Sequence, residues 1–336
     1  MRRKRILERH DIERQRGNES FDRHIACAIG AAVVASAAVS GSAHATPSFA
    51  NIIDPLNPTF TQALGTNDAG TIVGYGNASA FNGFRLTLPS SFTRENFPGQ
   101  PATQVIGISG AGNTVGFYVD AAGGNHGFTE TGGTFTTVDR PGTVFNQLLG
   151  INRAGTEIAG YSSTDFAGAT LQHAFSLAGG VYTDINALLP TNFNSQATGV
   201  NDAGKVVGFY QDAAGNFTAF TDTAGMIAHF LFPGSVSTQA LGINDIGQIV
   251  GDYLDAAGVM HGFLDAGGVF TTLDPTGSTA TTINGINDRG RVVGFYVDAA
   301  GNTIGTVGSV PEPASMLILA AGLVGLGAAR RRRTDA

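Results

Sequence analysis

Histidine and aspartate are the residue types whose spacing could carry chemistry in this chain. Four histidines follow residue 45, and three of them open the phrases His126-Gly127-Phe128, His173-Ala174-Phe175 and His261-Gly262-Phe263. A zinc centre or a nucleophile and its base need side chains within a few ångströms of one another. Equivalent positions of separate repeats are held apart instead, so these histidines read as strand-start residues packing beside Phe. His229 has no counterpart in the other copies. The phrase Asp-Ala-Ala-Gly, at Asp120, Asp212, Asp255 and Asp298, invites a calcium reading. A hard cation takes roughly six to eight oxygens, and calcium loops carry acids at alternate positions. Here each turn supplies one acid and then two alanines, which suits a turn where Asp accepts backbone N–H bonds and Gly takes positive φ.

Catalytic phrases are missing. No Gly-x-Ser-x-Gly elbow, phosphate loop or His-Glu-x-x-His occurs. Glycoside hydrolysis needs a pair of carboxylates, and nineteen acids lie between residues 46 and 310. Most sit in repeated turns; Glu95, Glu157 and Asp184 break the pattern and are the acids to test first. No residue is assigned a catalytic, cofactor-binding or metal-binding role. Against those nineteen acids stand seven Lys and Arg, a net charge of −12 over the same residues. Such a surface repels polyphosphate, which argues against nucleic acid as a partner.

The elements that hold these residues come from a repeat. LGTNDAGTIVGY begins at Leu64, and related phrases begin at Ile106, Leu149, Thr198, Leu241 and Asn284. Their leading glycines, Gly65, Gly107, Gly150, Gly199, Gly242 and Gly285, recur about every 43 residues, a period that belongs to repeat architectures. Each period holds four short β-prone runs. In the fifth copy STQALGIN turns at Asp245-Ile246-Gly247 into QIVGDYL, then through Asp255-Ala256-Ala257-Gly258 into MHGFLD, then through Ala266-Gly267-Gly268 into VFTTLD. Four antiparallel strands in such a period make a propeller blade. The Asn-Asp-x-Gly phrases suit tight hairpins in which Asn or Asp tolerates the left-handed region and Gly supplies positive φ.

The ends specify closure. The sixth copy has a third strand at 302–307 and no fourth, whereas Ser48-Phe49-Ala50-Asn51-Ile52-Ile53-Asp54-Pro55 resembles fourth strands such as Val269-Phe270-Thr271-Thr272-Leu273-Asp274-Pro275. An N-terminal strand that completes the last blade closes a ring and removes both sheet edges. The expected fold is therefore all-β, a six-bladed β-propeller of four-stranded blades over residues 46–309, with an open β-solenoid as the alternative. Copy three has an extra residue before Gly160 and a longer period, which predicts a bulge and an extended loop around 188–194.

Two terminal segments stand outside the repeat. Residues 1–45 combine an Arg-rich start, the apolar run IACAIGAAVVASAAV and Ala43-His44-Ala45, the order of a signal peptide cleaved before Thr46. Cys27, the one cysteine of the chain, lies inside that run, which continues past it as a lipidated cysteine would not allow. The 310–336 tail begins Val310-Pro311-Glu312-Pro313, continues through an uncharged apolar segment at 314–329 and ends in Arg330, Arg331, Arg332 and Arg333. Sixteen residues of helix at ~1.5 Å each fall somewhat short of a ~30 Å hydrocarbon core, so the expected C-terminal apolar helix is a marginal span. The arginines orient it with the basic side inward.

Pro-Glu-Pro, a short apolar helix and a basic end resemble the PEP-CTERM sorting signal of Gram-negative bacteria. That resemblance implies recognition by an exosortase, a membrane cysteine protease-transpeptidase, with cleavage near Pro311 to Pro313 and loss of the helix, in organisms that usually make extracellular polysaccharide. The repeated Gly-Ile-Asn-x-x-Gly phrase and the His-Gly/Ala-Phe strand starts resemble the HAF-repeat extracellular proteins over nearly all of residues 60–308, a likeness that implies no particular activity. The expected protein is exported to the cell envelope, cell surface or extracellular matrix. It is processed by signal peptidase and exosortase, held by the membrane through its C-terminal helix before processing, and needs no cofactor. Its expected role is non-enzymatic binding or structure, with extracellular polysaccharide as candidate partner. The alternative is a polysaccharide lyase or hydrolase on the same scaffold.

Overall fold

The protein is described here by a computed structural model that covers residues 47–310 apart from 78–79, 90, 167, 169–171 and 191–193. The expected cleavage residues Ala43 and Ala45 lie outside the described residues, as do Pro311, Glu312, Pro313, the 314–329 segment and Arg330 to Arg333. Among the described residues no helix is long and apolar enough to cross a membrane.

Alternation of small and β-branched residues with turn phrases yields six four-stranded antiparallel sheets, each one blade. Blade 5 shows the pattern: Ser237–Ile243, Ile249–Leu254, Met260–Ala266 and Val269–Thr272 follow one another in the sheet in chain order. Blades 1 to 4 are built alike, from first strands Thr61–Thr66, Ala102–Ile108, Phe145–Ile151 and Ser195–Val200. Blade 6 takes Ala280–Ile286, Arg291–Val297 and Thr303–Ser309 from the end of the chain and Ser48–Ile52 from its start. Ser48 pairs with Ser309 and Ile52 with Gly305 across that seam. The ring is closed, and the open-solenoid alternative falls.

Each blade buries one face against the next. Phe84, Phe128, Phe175, Phe220 and Phe263 occupy one position of the third strands, and all five are fully buried. One such cluster joins Val207 and Ala219 of blade 4 to Ala240, Ile249, Tyr253 and Phe263 of blade 5. In blade 6 the same position is Thr306, also fully buried, whose hydroxyl donates to Ala50 O at 3.2 Å on the closing strand.

The leading glycines have a geometric reason. A Cβ built on Gly242 would lie 2.5 Å from Asn284 O and 3.3 Å from Gly285 Cα on the next blade. The other five leading glycines likewise face the leading glycine of the following blade, and Gly285 faces Gly65. The six first strands therefore approach most closely at this level, where no side chain fits.

Two expectations about copy three change. A register shift between first and second strands occurs in all six blades, between Leu148 and Gly150 in blade 3 and between Ala240 and Gly242 in blade 5. The bulge is thus a property of the repeat. The extra residue before Gly160 instead enlarges the turn, where Asn152 N donates to Glu157 O at 3.0 Å. The remaining length lies in the connection 164–172 and in the 186–194 segment, which starts with the short 3-10 helix Asn186–Leu188.

Candidate functional site

A channel runs through the ring, lined by the six first strands. Its narrow end is formed by the Asn-Asp turns and their counterparts Ser109-Gly110 and Asn152-Arg153, and here hydrogen bonds join neighbouring blades. Asn67 Nδ2 donates to Ser109 O at 3.1 Å, Gly110 N to Arg153 O at 2.8 Å, and Ala154 N to Asp202 Oδ1 at 2.7 Å. Asn201 Nδ2 donates to Asn244 O at 3.2 Å, Asn244 Nδ2 to Asn287 O at 3.0 Å, and Asn287 Nδ2 to Asn67 O at 2.9 Å. Every blade boundary is bridged, including the one between copies six and one. The same asparagines use Oδ1 inside their own turns, as Asn287 does for Arg291 N at 2.9 Å. A primary amide donates from Nδ2 while accepting at Oδ1, so Asn serves as a two-way connector. None of these asparagines takes positive φ; Gly247, at φ 84°, carries the left-handed step of its turn alone.

Four aspartates, Asp68, Asp202, Asp245 and Asp288, stand at equivalent places of these turns, with Gly110 and Arg153 in the other two copies. Arg153 reaches over the axis: its Nε lies 3.4 Å from Asp68 and 3.8 Å from Asp288, and its Nη1 3.7 Å from Asp245. Burial, and then the charges of Asp245 and Asp68, raise the Asp288 carboxyl, opposed by the hydrogen bond from Asp245 N and, more weakly, by Arg153. Only a cavity of about 60 Å³ remains at this end.

The other end opens into a cavity of about 660 Å³. Six equivalent first-strand positions line it: Gln62, Gln104, Gln147, Gln196, Gln239 and Thr282. Each faces a second-strand neighbour across the hairpin, namely Tyr75, Phe117, Tyr161, Phe209, Asp252 and Phe295 in the same order. Gln147 bonds Asn125 and Gln196 bonds Gln172, whereas the amides of Gln62, Gln104 and Gln239 have no protein partner among the described residues.

Both departures from the repeat meet in one place. Where five copies carry an aromatic residue, blade 5 carries Asp252; where five carry Gln, blade 6 carries Thr282. Thr282 Oγ1 donates to Asp252 Oδ2 at 3.2 Å. Asp252 is buried, and among the described residues it is the one charged residue that lines the mouth. Burial pushes its carboxyl up to about 7, with the Thr282 hydroxyl opposing. One step deeper, where four copies carry Leu or Ile, blade 6 carries Asn284, whose Oδ1 is buried without a hydrogen-bond partner. A buried acceptor left unmatched costs stability.

Sequence reasoning missed Asp252, Thr282 and Asn284. The signal was present in Gly251-Asp252-Tyr253 set against Gly-Phe-Tyr in copies two, four and six. The residues it did single out are held in structural roles. Asp120 Oδ1 accepts from Ala122 N at 2.9 Å and Gly124 N at 2.7 Å, and the other three Asp-Ala-Ala-Gly turns repeat the pattern. The Gly124 N–H, and then that of Ala122, hold Asp120 below the usual carboxylate range. His126 stacks on Tyr118 at 5.2 Å rather than on Phe128, with Nδ1 2.7 Å from Asp139 and Nε2 3.4 Å from Asp120. His261 repeats this with Tyr253, Asp274 and Asp255. Partial burial would lower both imidazoles, but their paired aspartates outweigh it and raise them. His229 meets Tyr210 edge-on at 5.4 Å. His173 opens its strand without sharing a centre with the others. No group of three or more His, Cys, Asp or Glu among the described residues is placed to hold a metal ion.

The three pattern-breaking acids do not converge. Glu95 and Glu130 flank Arg85 at 2.8 and 3.0 Å, an ion network between blades 1 and 2. Asp184 pairs with Arg140 at 3.0 Å. Glu157 opens the second strand of blade 3, and none of the three lines the mouth.

The last strand ends at Ser309, and Val310 N donates to Gly290 O at 2.8 Å, seating Val310 in a core cluster. There the tail begins. Residues 309–333 match the PEP-CTERM protein-sorting motif. This motif is a signal for exosortase processing and implies export and surface sorting in a Gram-negative bacterium. No curated protein matches the sequence. The fold is similar to that of putative TolB from Agrobacterium tumefaciens, with a TM-score of 0.54 and 13% identity over 76% of this chain and 92% of that one. It is also similar to TolB from Acinetobacter baumannii, with a TM-score of 0.50 and 10% identity over 71% of this chain; the chain spans 63% of the length of that protein. At such identities the likeness shows the propeller fold alone.

Proposed function

We propose that this exported propeller is a non-enzymatic binding component of the cell surface or extracellular polysaccharide matrix, and that it holds a sugar at the channel mouth. The observation that carries this reading is the set of unbonded amides of Gln62, Gln104 and Gln239 in a cavity of about 660 Å³. Amides donate and accept at once, as hydroxyl-rich ligands require, and ligand cavities run to roughly 300–1,000 Å³. Phe81, Phe117, Phe209 and Phe295 add apolar surface to the same walls. Because Arg153 and the Asn-Asp turns obstruct the far end, an occupant enters from the mouth. That suits a small saccharide or a chain terminus better than the middle of a polymer.

Binding is favoured over cleavage because, among the described residues, a single carboxylate, Asp252, lines the mouth, and glycoside hydrolysis ordinarily takes two. Cleavage by signal peptidase after Ala45, cleavage by exosortase near Pro311 to Pro313, a transient membrane helix and kinship with HAF-repeat proteins complete the reading. The test is retention of the producing organism's own extracellular polysaccharide by the full chain. Gln62→Ala with Gln104→Ala is expected to weaken retention at least about tenfold, the cost of roughly two hydrogen bonds. Unchanged retention moves the site elsewhere, and release of new reducing ends that Glu157→Gln abolishes reinstates the enzyme.

A further inference from the structure

The blade 5–6 side of the mouth differs from the rest of the ring in a chemically directed way. Asp252 replaces an aromatic residue, Thr282 a glutamine and Asn284 an aliphatic residue or threonine, and all three line one cavity. Asp252 accepts, Asn284 Oδ1 is buried without a partner, and among the described residues no Lys or Arg lines the cavity. The one donor aimed at this group, Thr282 Oγ1, reaches a single carboxylate oxygen. A buried carboxylate without a cation is costly, and in proteins such a group either stays neutral or finds a positive partner. Thr198, the other polar residue at the Asn284 level, shows what a satisfied departure looks like, since its hydroxyl lies 2.7 Å from Ala240 O and 3.2 Å from Val207 O. Asn284 Oδ1 has no such arrangement.

What is missing is a donor without acceptors. An ammonium group offers three donors and no acceptor, and ion pairing to Asp252 removes the penalty of its burial. The neighbours constrain what carries it. Gln239, opposite Asp252 in the hairpin, keeps an unbonded amide, and Phe295, opposite Thr282, is more exposed than its counterparts Phe117 and Phe209. An amide beside a partly exposed ring suits a hydroxylated ring.

We propose that the blade 5–6 side of the mouth binds the ammonium group of an amino sugar, with Asp252 accepting its protons and Thr282 orienting Asp252. This rests on the reading of the mouth as a sugar site and narrows the class of sugar. Acetylation of the amine removes both the charge and two of the donors, so the site discriminates a free amino sugar from its N-acetyl form.

The experiment is calorimetric titration of the full chain at pH 7.5 with glucosamine, N-acetylglucosamine and glucose. Glucosamine is expected to bind at least about tenfold tighter than the other two, the size of one charge-assisted hydrogen bond. Asp252→Asn should remove that preference. Lowering the pH to 5 should weaken glucosamine binding in the native chain, because Asp252 then carries its own proton. Equal binding of all three sugars, or a glucosamine preference that survives Asp252→Asn, overturns the ammonium proposal and leaves the mouth as a neutral-sugar site. Binding of none of the three overturns the ammonium proposal, and the polysaccharide retention assay with the glutamine variants then decides the broader reading separately.

Discussion

At the narrow end of the channel each turn hands a hydrogen bond to the succeeding blade, whereas at the mouth Asp252 has one hydroxyl and Asn284 Oδ1 has nothing. Both ends are made by the same six strands and both carry departures from the repeat. The departure at the narrow end, Arg153 among four aspartates, is matched by its surroundings. The departures at the mouth are matched mainly by each other. Repetition therefore explains the narrow end as a closure device and leaves the mouth in need of a further reason, which a ligand supplies.

The sharpest way to break this contrast is to restore the repeat at the mouth. Asp252→Phe removes a buried, unpaired acid, and replacing buried charge by apolar volume often stabilises by roughly 1–4 kcal/mol. The pH dependence has a definite sign. Burial raises the Asp252 carboxyl from 3.8 to about 7, so the native state holds that proton more tightly than the unfolded chain does. The contribution of Asp252 to native stability then falls as pH rises from about 4 to 7 and is level above. The advantage of Asp252→Phe over the native chain should be greatest above pH 7 and shrink towards pH 4. Thermal unfolding followed at both pH values measures this, and a variant that is less stable at pH 7.5 would show that Asp252 is satisfied after all.

The next effect lies at the opposite end. Asn287→Ala deletes the Nδ2 bond to Asn67 O across the last blade boundary together with the Oδ1 bonds to Arg289 N and Arg291 N within the turn. Leaving these buried groups unmatched should cost about 1–3 kcal/mol. Asn287→Asp separates the two roles, because a carboxylate still accepts from Arg291 N but cannot donate across the boundary. Because it sets a buried carboxylate oxygen against Asn67 O, it should lie at or below Asn287→Ala in urea midpoint. If Asn287→Asp equals the native chain, the amide bond between blades contributes nothing.

Much of this architecture was legible in the sequence because it repeats. Six copies of the Gly-x-Asn phrase, with Ser109 for Asn in the second, dictated six blades, and the likeness of the segment at Phe49 to Phe270 dictated the seam, since a strand short of a partner at one end must find it at the other. The role of Asn was misjudged. As a turn former it is one residue among several, and the bond from Asn287 to Asn67, 220 residues away in sequence, emerges only when the ring closes. The mouth was illegible for a different reason. Repeats draw attention to what recurs, so His126 and Asp120 stood out, whereas Asp252 and Thr282 are single substitutions 30 residues apart that touch only across a blade boundary.

The smallest expected effect tests whether the narrow end is as self-contained as it looks. Arg153→Asp completes the commoner residue of the repeat, as Asp252→Phe does at the mouth, yet it should act in the opposite direction. Arg153 is more than half exposed, at 59%, and its carboxylate neighbours lie 3.4–3.8 Å away, so its pairs are worth at most about 1 kcal/mol. The replacement adds a fifth acid to a group in which Asp288 is already raised by burial, Asp245 and Asp68. Repulsion makes the loss larger at low ionic strength, and salt should erase much of it, because exposed charges are screened over roughly 10 Å at 0.1 M. Acid should erase it as well, since protonation of the crowded carboxylates removes the repulsion, and the two chains should converge as the pH falls through that range. Opposite signs for the two restorations, one relieved by salt and the other independent of it, are what a mutually satisfied end and an unsatisfied mouth require. Two losses of the same sign would mean that Asp252 is as well matched within its ring as Arg153 is.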